Sequence, residues 1–230
     1  MWLEKFNGIM FGISTYCNAA CPQCHRLDPN GLKKVPWLPL GNWTLDDIKK
    51  ALPIKDLGKY RWIDFCGTWG DPLMNKDIYD IVKYIVDNSD TRVVINTNGS
   101  LRDEDFFWEL GEMAREQLTV VFDIDGHTQE IHSFYRRNTN LQKILSNMET
   151  LAMTPAQSHV HTIVFKHNQD HLQKIAEMVK SHGATFMKAT VSDRFEKGPT
   201  FNFIDKGIEY QLERADNDHM RMAKKWKVIS

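Results

Sequence analysis

Short apolar runs alternate with amphipathic stripes along most of this 230-residue chain, and that alternation limits its possible folds more than any other feature. Residues 8–14 are apolar and bounded by turn-prone residues, which reads as a buried strand. Thr44 reads as the N-cap of a helix with Asp46 and Asp47 in its first turn and Leu45, Ile48 and Leu52 on one face. Residues 61–66 read as a second strand, and Ile78, Ile81, Val82, Ile85 and Val86 then form a 3.6-residue stripe. The pattern repeats with a strand at 93–95 and a helix capped by Asp103. It repeats again with a strand at 118–124 and a helix capped by Asn140, then a strand at 159–165 and a helix capped by Asp170. Gly183 closes that last helix, and 184–189 read as a sixth strand that Lys188 nearly ends. About six strand–helix units in roughly 190 residues call for parallel strands joined by right-handed crossovers. Six units fall short of the eight that close a full barrel, and a doubly wound open sheet uses the same order of elements. In either architecture a ligand site lies at the carboxyl ends of the strands. The expected division is a core over 1–200 and a charged extension over 201–230, with a helix around 208–227.

Composition narrows the partners. With 29 basic and 30 acidic residues the formal charge is −1, so no global attraction to nucleic acid or anionic membrane is expected. No apolar run approaches the roughly 20 residues that span a bilayer. The first residues lack the pattern of a secretory signal, and a reducing cytoplasm is the expected location.

The chemistry is concentrated where the first strand ends. Cys17, Cys21 and Cys24 have the spacing C-x3-C-x2-C, and the fourth cysteine, Cys66, is distant in sequence. Three thiolates on one loop suit a [4Fe-4S] cube in which each cysteine takes one iron, leaving the fourth iron without a protein ligand. A zinc site is the bland alternative. It wants four ligands, commonly in two short pairs, and neither His25 nor Cys66 supplies the second pair. Disulfides are a further possibility for four cysteines.

The triplet resembles the signature of the radical S-adenosylmethionine (SAM) enzymes. That resemblance implies a [4Fe-4S] cluster on Cys17, Cys21 and Cys24, with SAM chelating the open iron. One electron then cleaves SAM to a 5′-deoxyadenosyl radical that abstracts a substrate hydrogen. It also implies a partial, open-sided (β/α)6 TIM-like barrel and an electron donor such as flavodoxin or ferredoxin. The family usually places an aromatic residue before the third cysteine, where this chain has Gln23.

Other stretches share the resemblance, in the family's order. Gly70-Asp71-Pro72 is similar to the glycine-glycine-glutamate-proline motif that binds the SAM amino group, and is equally a plain strand–helix turn with Asp71 at a helix start. Asn96-Thr97-Asn98-Gly99 is similar to a strand end that lines the pocket in relatives, Asn96 included, although Asn-Gly is also the strongest turn dipeptide. Asp125-Gly126, His132 and Arg136 resemble a stretch whose arginine reaches the SAM carboxylate, with Arg137 as the adjacent fallback. Relatives often have serine where this chain has Asp123, a residue suited to ribose hydroxyls but repulsive to a carboxylate. Lys166, His167, Asn168 and Lys188 are weaker candidates for substrate or adenine contacts.

Residues 164–195 resemble the SPASM-type subgroup, yet no cysteine follows Cys66, so the resemblance stops before that subgroup's cysteine-rich tail. The substrate is expected to be a peptide or a small molecule, and no catalytic acid or base is identified. Two other readings fit the same residues: a non-catalytic or partner-dependent cluster-binding subunit, and a zinc-stabilised binding module.

Overall fold

The structure, a computed structural model, describes residues 8–195, 198–219 and 227–229. Six parallel strands lie side by side in chain order: β1 (Gly8–Phe11), β2 (Trp62–Phe65), β3 (Arg92–Thr97), β4 (Leu118–Asp123), β5 (Gln157–Val164) and β6 (Phe186–Val191). Each pairs in parallel with the next. A doubly wound sheet reverses its strand order at a switch point, and this one never does. The architecture is therefore the partial barrel, open between β1 and β6. The antiparallel hairpin of β7 (Thr200–Asp205) and β8 (Ile208–Glu213) is separate, and β9 (Lys227–Ile229) runs antiparallel on β6.

Helices α1 (Leu45–Ala51), α2 (Ile78–Asn88), α3 (Glu104–Ala114), α4 (Gln129–Tyr135), α5 (Leu141–Ala152) and α6 (Leu172–Ser181) lie between the strands. Thr44 and Asp47 form a reciprocal capping box at the start of α1. Asp103 and Asn140 cap α3 and α5 as their side-chain chemistry predicts. Strand residues such as Ile63, Val93, Ile95, Val120, Phe122 and Val160 are buried with Ile81, Ile85, Phe107, Leu110, Ile144 and Ile175 from the helices. Each such side chain contributes about 1.5–3 kcal/mol by leaving water. Because successive strand residues point to opposite faces, the alternate positions Asp64, Asn96, Asp123, His161 and Thr190 fall on the concave face.

Three expectations are corrected and one helix is added. The helix expected around 208–227 is a strand from Ile208 to Glu213. Lys206 and Gly207 both have positive φ, at 51° and 80°, which makes a two-residue turn matched to strand twist. Phe203 and Leu212 then bury beside Tyr135 and Phe165. Among the described residues of that stretch, helical backbone occurs at 217–219 alone; 220–226 lie outside them. The sixth strand extends to Val191 because Ile163 and Val164 pair with Thr190 and Val191, which leaves Lys188 in mid-strand opposite His161. Asp170 does not cap α6. The Asn168 side chain instead binds the Phe165 N–H and the Asp125 and Ile163 carbonyls, which forces a 3-10 turn over Gln169–His171. Finally, α4 begins at a Thr128 cap in a stretch where the sequence showed only a motif.

Candidate cofactor site

The loop after β1 is held from several sides. Buried Arg26 donates to the Thr15 and Cys17 carbonyls, and the Ala20 N–H donates to the Arg137 carbonyl at 2.9 Å. The Cys24 N–H donates to the Cys21 carbonyl, so the chain turns tightly between the second and third cysteines. Gln23 is buried and its amide spans to the end of β6, accepting from Ser192 Oγ at 2.7 Å and donating to the Arg194 carbonyl at 3.0 Å.

All four cysteines are free thiols. Cys17, Cys21 and Cys24 line one cavity of about 520 Å³ at the carboxyl ends of the strands. Gly70, Asp71, Asn96, Asp123 and Arg136 line the same cavity, so the sequence candidates from four separate loops meet there, with Pro72 buried just behind. Cys66 instead sits 3.3 Å from Thr68 Oγ1. Burial, with Asp71 nearby, pushes the Cys17 thiol well up; burial pushes Cys21 up to about 12 against the pull of Arg136.

The turn after β2 depends on two glycines. A Cβ on Gly70 would meet the Ser14 and Tyr16 carbonyl oxygens at 2.3 and 2.6 Å, and one on Gly67 would meet the Gly70 oxygen at 2.7 Å. The loop is thereby pressed against the cysteine loop, and the Asp71 N–H donates to the Tyr16 carbonyl at 2.7 Å. Asp71 is 3% exposed and its carboxylate is already engaged. It accepts from Leu73 N–H as a cap, from Thr97 Oγ1, and from both the backbone and side-chain nitrogens of Asn98. Burial raises its pKa, and those hydrogen bonds pull it back. Asp71 thus starts a helical turn, as one of the two sequence readings has it, and its carboxylate also fixes the end of β3 beside Cys17.

Arg136 ends α4 and is buried. Its Nε donates to Asp125 Oδ2 at 2.6 Å and its Nη1 to Asp123 Oδ2 at 3.0 Å, with Cys21 Sγ 4.0 Å from Nη1. Burial disfavours the guanidinium charge, but the two carboxylates outweigh it and Arg136 stays protonated. Burial raises Asp125 against the pull of Arg136, whereas Asp123 falls below the usual range because Arg136 and His161 overcome its burial. His161 bridges Asp123 and Thr190 on the concave face at 3.3 and 2.7 Å.

Several candidates lie elsewhere. Arg137 turns away to Asp205 at 2.6 Å. Lys166 pairs with Asp216, His167 stacks between Phe134 and Phe165, and Lys188 is exposed. Asn168 is buried within its own turn. His25 is exposed and sits beside Trp69, 6.3 Å between rings. Thr97, Asn98 and Asp125 belong to motifs the sequence offers but carry no role of their own there, and His161 has no signal in the sequence at all. Only the Asn-Thr-Asn-Gly and Asp-Gly strand ends could have pointed to the first three.

The donor set fits an iron–sulfur cluster. Three soft thiols converge on one cavity. Three such thiols on one loop, sharing one cavity, are the donor set that a [4Fe-4S] cube takes at three of its corners.

Comparison with known proteins agrees. The family model for the Radical SAM superfamily matches residues 12–179. An AdoMet-dependent heme synthase of Methanosarcina barkeri (strain Fusaro / DSM 804) is 27% identical over 178 residues, covering 76% of this chain and 48% of the relative. A cysteine-type anaerobic sulfatase-maturating enzyme of Clostridium novyi (strain NT) is 26% identical over 190 residues, covering 76% and 48%. The chain spans about half the length of these curated relatives. Among solved structures, Streptococcus suis SuiB bound to S-adenosylmethionine superposes with a TM-score of 0.67 at 11% identity, covering 83% of this chain and 42% of SuiB. At that identity the likeness is one of fold.

Proposed function

This chain belongs to the radical SAM superfamily, and from that premise we propose that it carries a [4Fe-4S] cluster on Cys17, Cys21 and Cys24 and uses it with SAM to abstract hydrogen from a peptide substrate. The observation that carries the reading is the meeting of three free thiols with the Gly67–Asp71 turn and Arg136 around one cavity. When bound, the cluster and SAM together supply one-electron cleavage of a SAM carbon–sulfur bond and hydrogen abstraction.

The protein's own residues do the rest. The Gly67–Gly70 backbone, brought close by the absence of side chains, offers itself to the SAM ammonium, while Asp71 holds that turn against the end of β3. Arg136 Nη2 has no hydrogen-bond partner among the described residues and is available to the SAM carboxylate. Asp123 and Asn96 face the cavity with groups suited to ribose hydroxyls. The ion pair with Arg136 also offsets the Asp123 charge, which lessens its repulsion toward an incoming carboxylate.

A peptide substrate is favoured by two relatives: the sulfatase-maturating enzyme, and SuiB, captured in one structure with precursor peptide SuiA. The core over 1–200 would hold the chemistry, and the hairpin of β7 and β8 within the 201–230 extension would flank the cysteine loop. A flavodoxin or ferredoxin would supply the electron, and a reducing cytoplasm suits the cluster. Among the described residues no helix is long and apolar enough to cross a membrane. The test is anaerobic incubation of the iron-loaded protein with SAM and dithionite. Release of 5′-deoxyadenosine, abolished by Cys21→Ala, supports the reading, and its absence from the loaded protein refutes it.

A further inference from the structure

We infer that Arg136, held between Asp123 and Cys21, sets the reduction potential of the cluster in addition to any contact with SAM, and that Asn98 assists from the Cys17 side. The inference rests on the reading above that the three thiols hold a cluster.

Arg136 brings a full positive charge to 4.0 Å from Cys21 Sγ, and Asn98 brings the positive end of its amide to 3.8 Å from Cys17 Sγ. Neither is free to swing away. Arg136 is fixed by Asp125 and Asp123, and Asn98 by Asp71 at 2.6 Å and Asn18 at 2.9 Å. Reduction adds one electron, taking the 2+ cluster to 1+ with no bond made or broken, so nearby positive charge and N–H donors to the cysteine sulfurs favour the reduced state. Nearby carboxylates do the opposite. The charged groups around Cys21 are Arg136 from α4 and Asp123 and Asp125 from β4 and its exit, with His161 of β5 behind Asp123. Arg136 is therefore the counterweight that lets two carboxylates, buried Asp125 and partly exposed Asp123, lie next to a cluster that must accept an electron.

This arrangement predicts shifts of opposite sign from adjacent residues, which a merely structural role does not. The experiment is a redox titration of the SAM-free, anaerobically reconstituted protein, with iron and sulfide content measured on each variant. Arg136→Gln is expected to disfavour reduction about tenfold, about 59 mV for one electron. Asp123→Asn, nearly isosteric, is expected to favour reduction by a similar factor. Arg136→Lys keeps the charge and is expected to stay nearer wild type than Arg136→Gln. Should Arg136→Gln fail to fold with two carboxylates left uncompensated, Asp123→Asn and Asn98→Ser still decide the matter, the latter with a smaller downward shift. Loaded variants whose midpoints match wild type, or shift in the same direction for Arg136→Gln and Asp123→Asn, overturn this inference alone. A wild-type protein that takes up no iron and sulfide overturns the cluster reading with it.

Discussion

Gln23 and Arg194 hold each other reciprocally: the Gln23 amide donates to the Arg194 carbonyl at 3.0 Å, and Arg194 Nη1 donates to the Gln23 carbonyl at 2.7 Å. The position where the family usually has an aromatic residue thus ties the cysteine loop to the end of β6, across the open side of the site.

Gln23→Ala should loosen that tie. The substitution leaves the Ser192 hydroxyl and the Arg194 carbonyl without their partner, at a cost of about 1–3 kcal/mol. Urea unfolding of the apo-protein should show the loss, and reconstitution should give less iron per chain. Gln23→Phe, restoring the commoner aromatic character, should not recover the stability, because a phenyl ring makes neither hydrogen bond.

Asp71→Asn probes whether the carboxylate is a keystone. Its oxygens accept from four donor groups on Leu73, Thr97 and Asn98, and an amide would turn a donor toward at least one of them. We expect about 1–3 kcal/mol of destabilisation and weaker SAM binding by equilibrium dialysis. An unchanged unfolding midpoint would show that the network contributes little.

His132 makes stability pH-dependent. It is fully buried, accepts from the Asp125 N–H at Nδ1, and pairs with Thr139 Oγ1 through Nε2. Burial, reinforced by Arg136, lowers its pKa from 6.5 to about 3. The unfolded chain therefore takes a proton below about pH 6.5 that the folded chain refuses. The stabilisation is complete above 6.5, declines as pH falls, and levels off only near 3, with a slope of up to about 1.4 kcal/mol per pH unit. His132→Gln should flatten the dependence of unfolding free energy between pH 7.5 and 5, and equal slopes in the two proteins would contradict the assignment.

Arg137 links the hairpin to the cysteine loop. Its guanidinium lies 4.0 Å from the Tyr210 ring and 4.8 Å from Phe203, and it pairs with Asp205 at 2.6 Å. The stacking alone should contribute about 0.5–2 kcal/mol. Arg137→Ala should leave the core folded but speed trypsin cleavage after the exposed Lys206 at the hairpin turn. Arg137→Lys should protect only in part, since an ammonium neither stacks flat nor forks.

The sequence revealed most of the barrel because its signals are local: the apolar stripe of α2, the Thr44 cap and the cysteine spacing each state their own geometry. The candidates it offered at separate places, Asp71, Asn96, Asp123 and Arg136, line one cavity. The hairpin is not legible in the sequence, because Ile208, Tyr210 and Leu212 carry only a short pattern and Leu212 is buried with distant Phe165. The engagement of Asp71 and Arg136 was invisible for a similar reason. Whether a carboxylate faces a ligand or a neighbouring loop depends on residues about 25 positions away, such as Thr97 and Asn98.

The most direct test of the central claim is electron paramagnetic resonance of the reduced, anaerobically reconstituted protein before and after SAM is added, alongside iron and sulfide analysis. The account predicts about four irons and four sulfides per chain and a reduced-cluster signal whose g values move on adding SAM, because three thiolates leave one iron open. About one zinc and no sulfide, or a four-iron signal that SAM leaves unchanged, would contradict it.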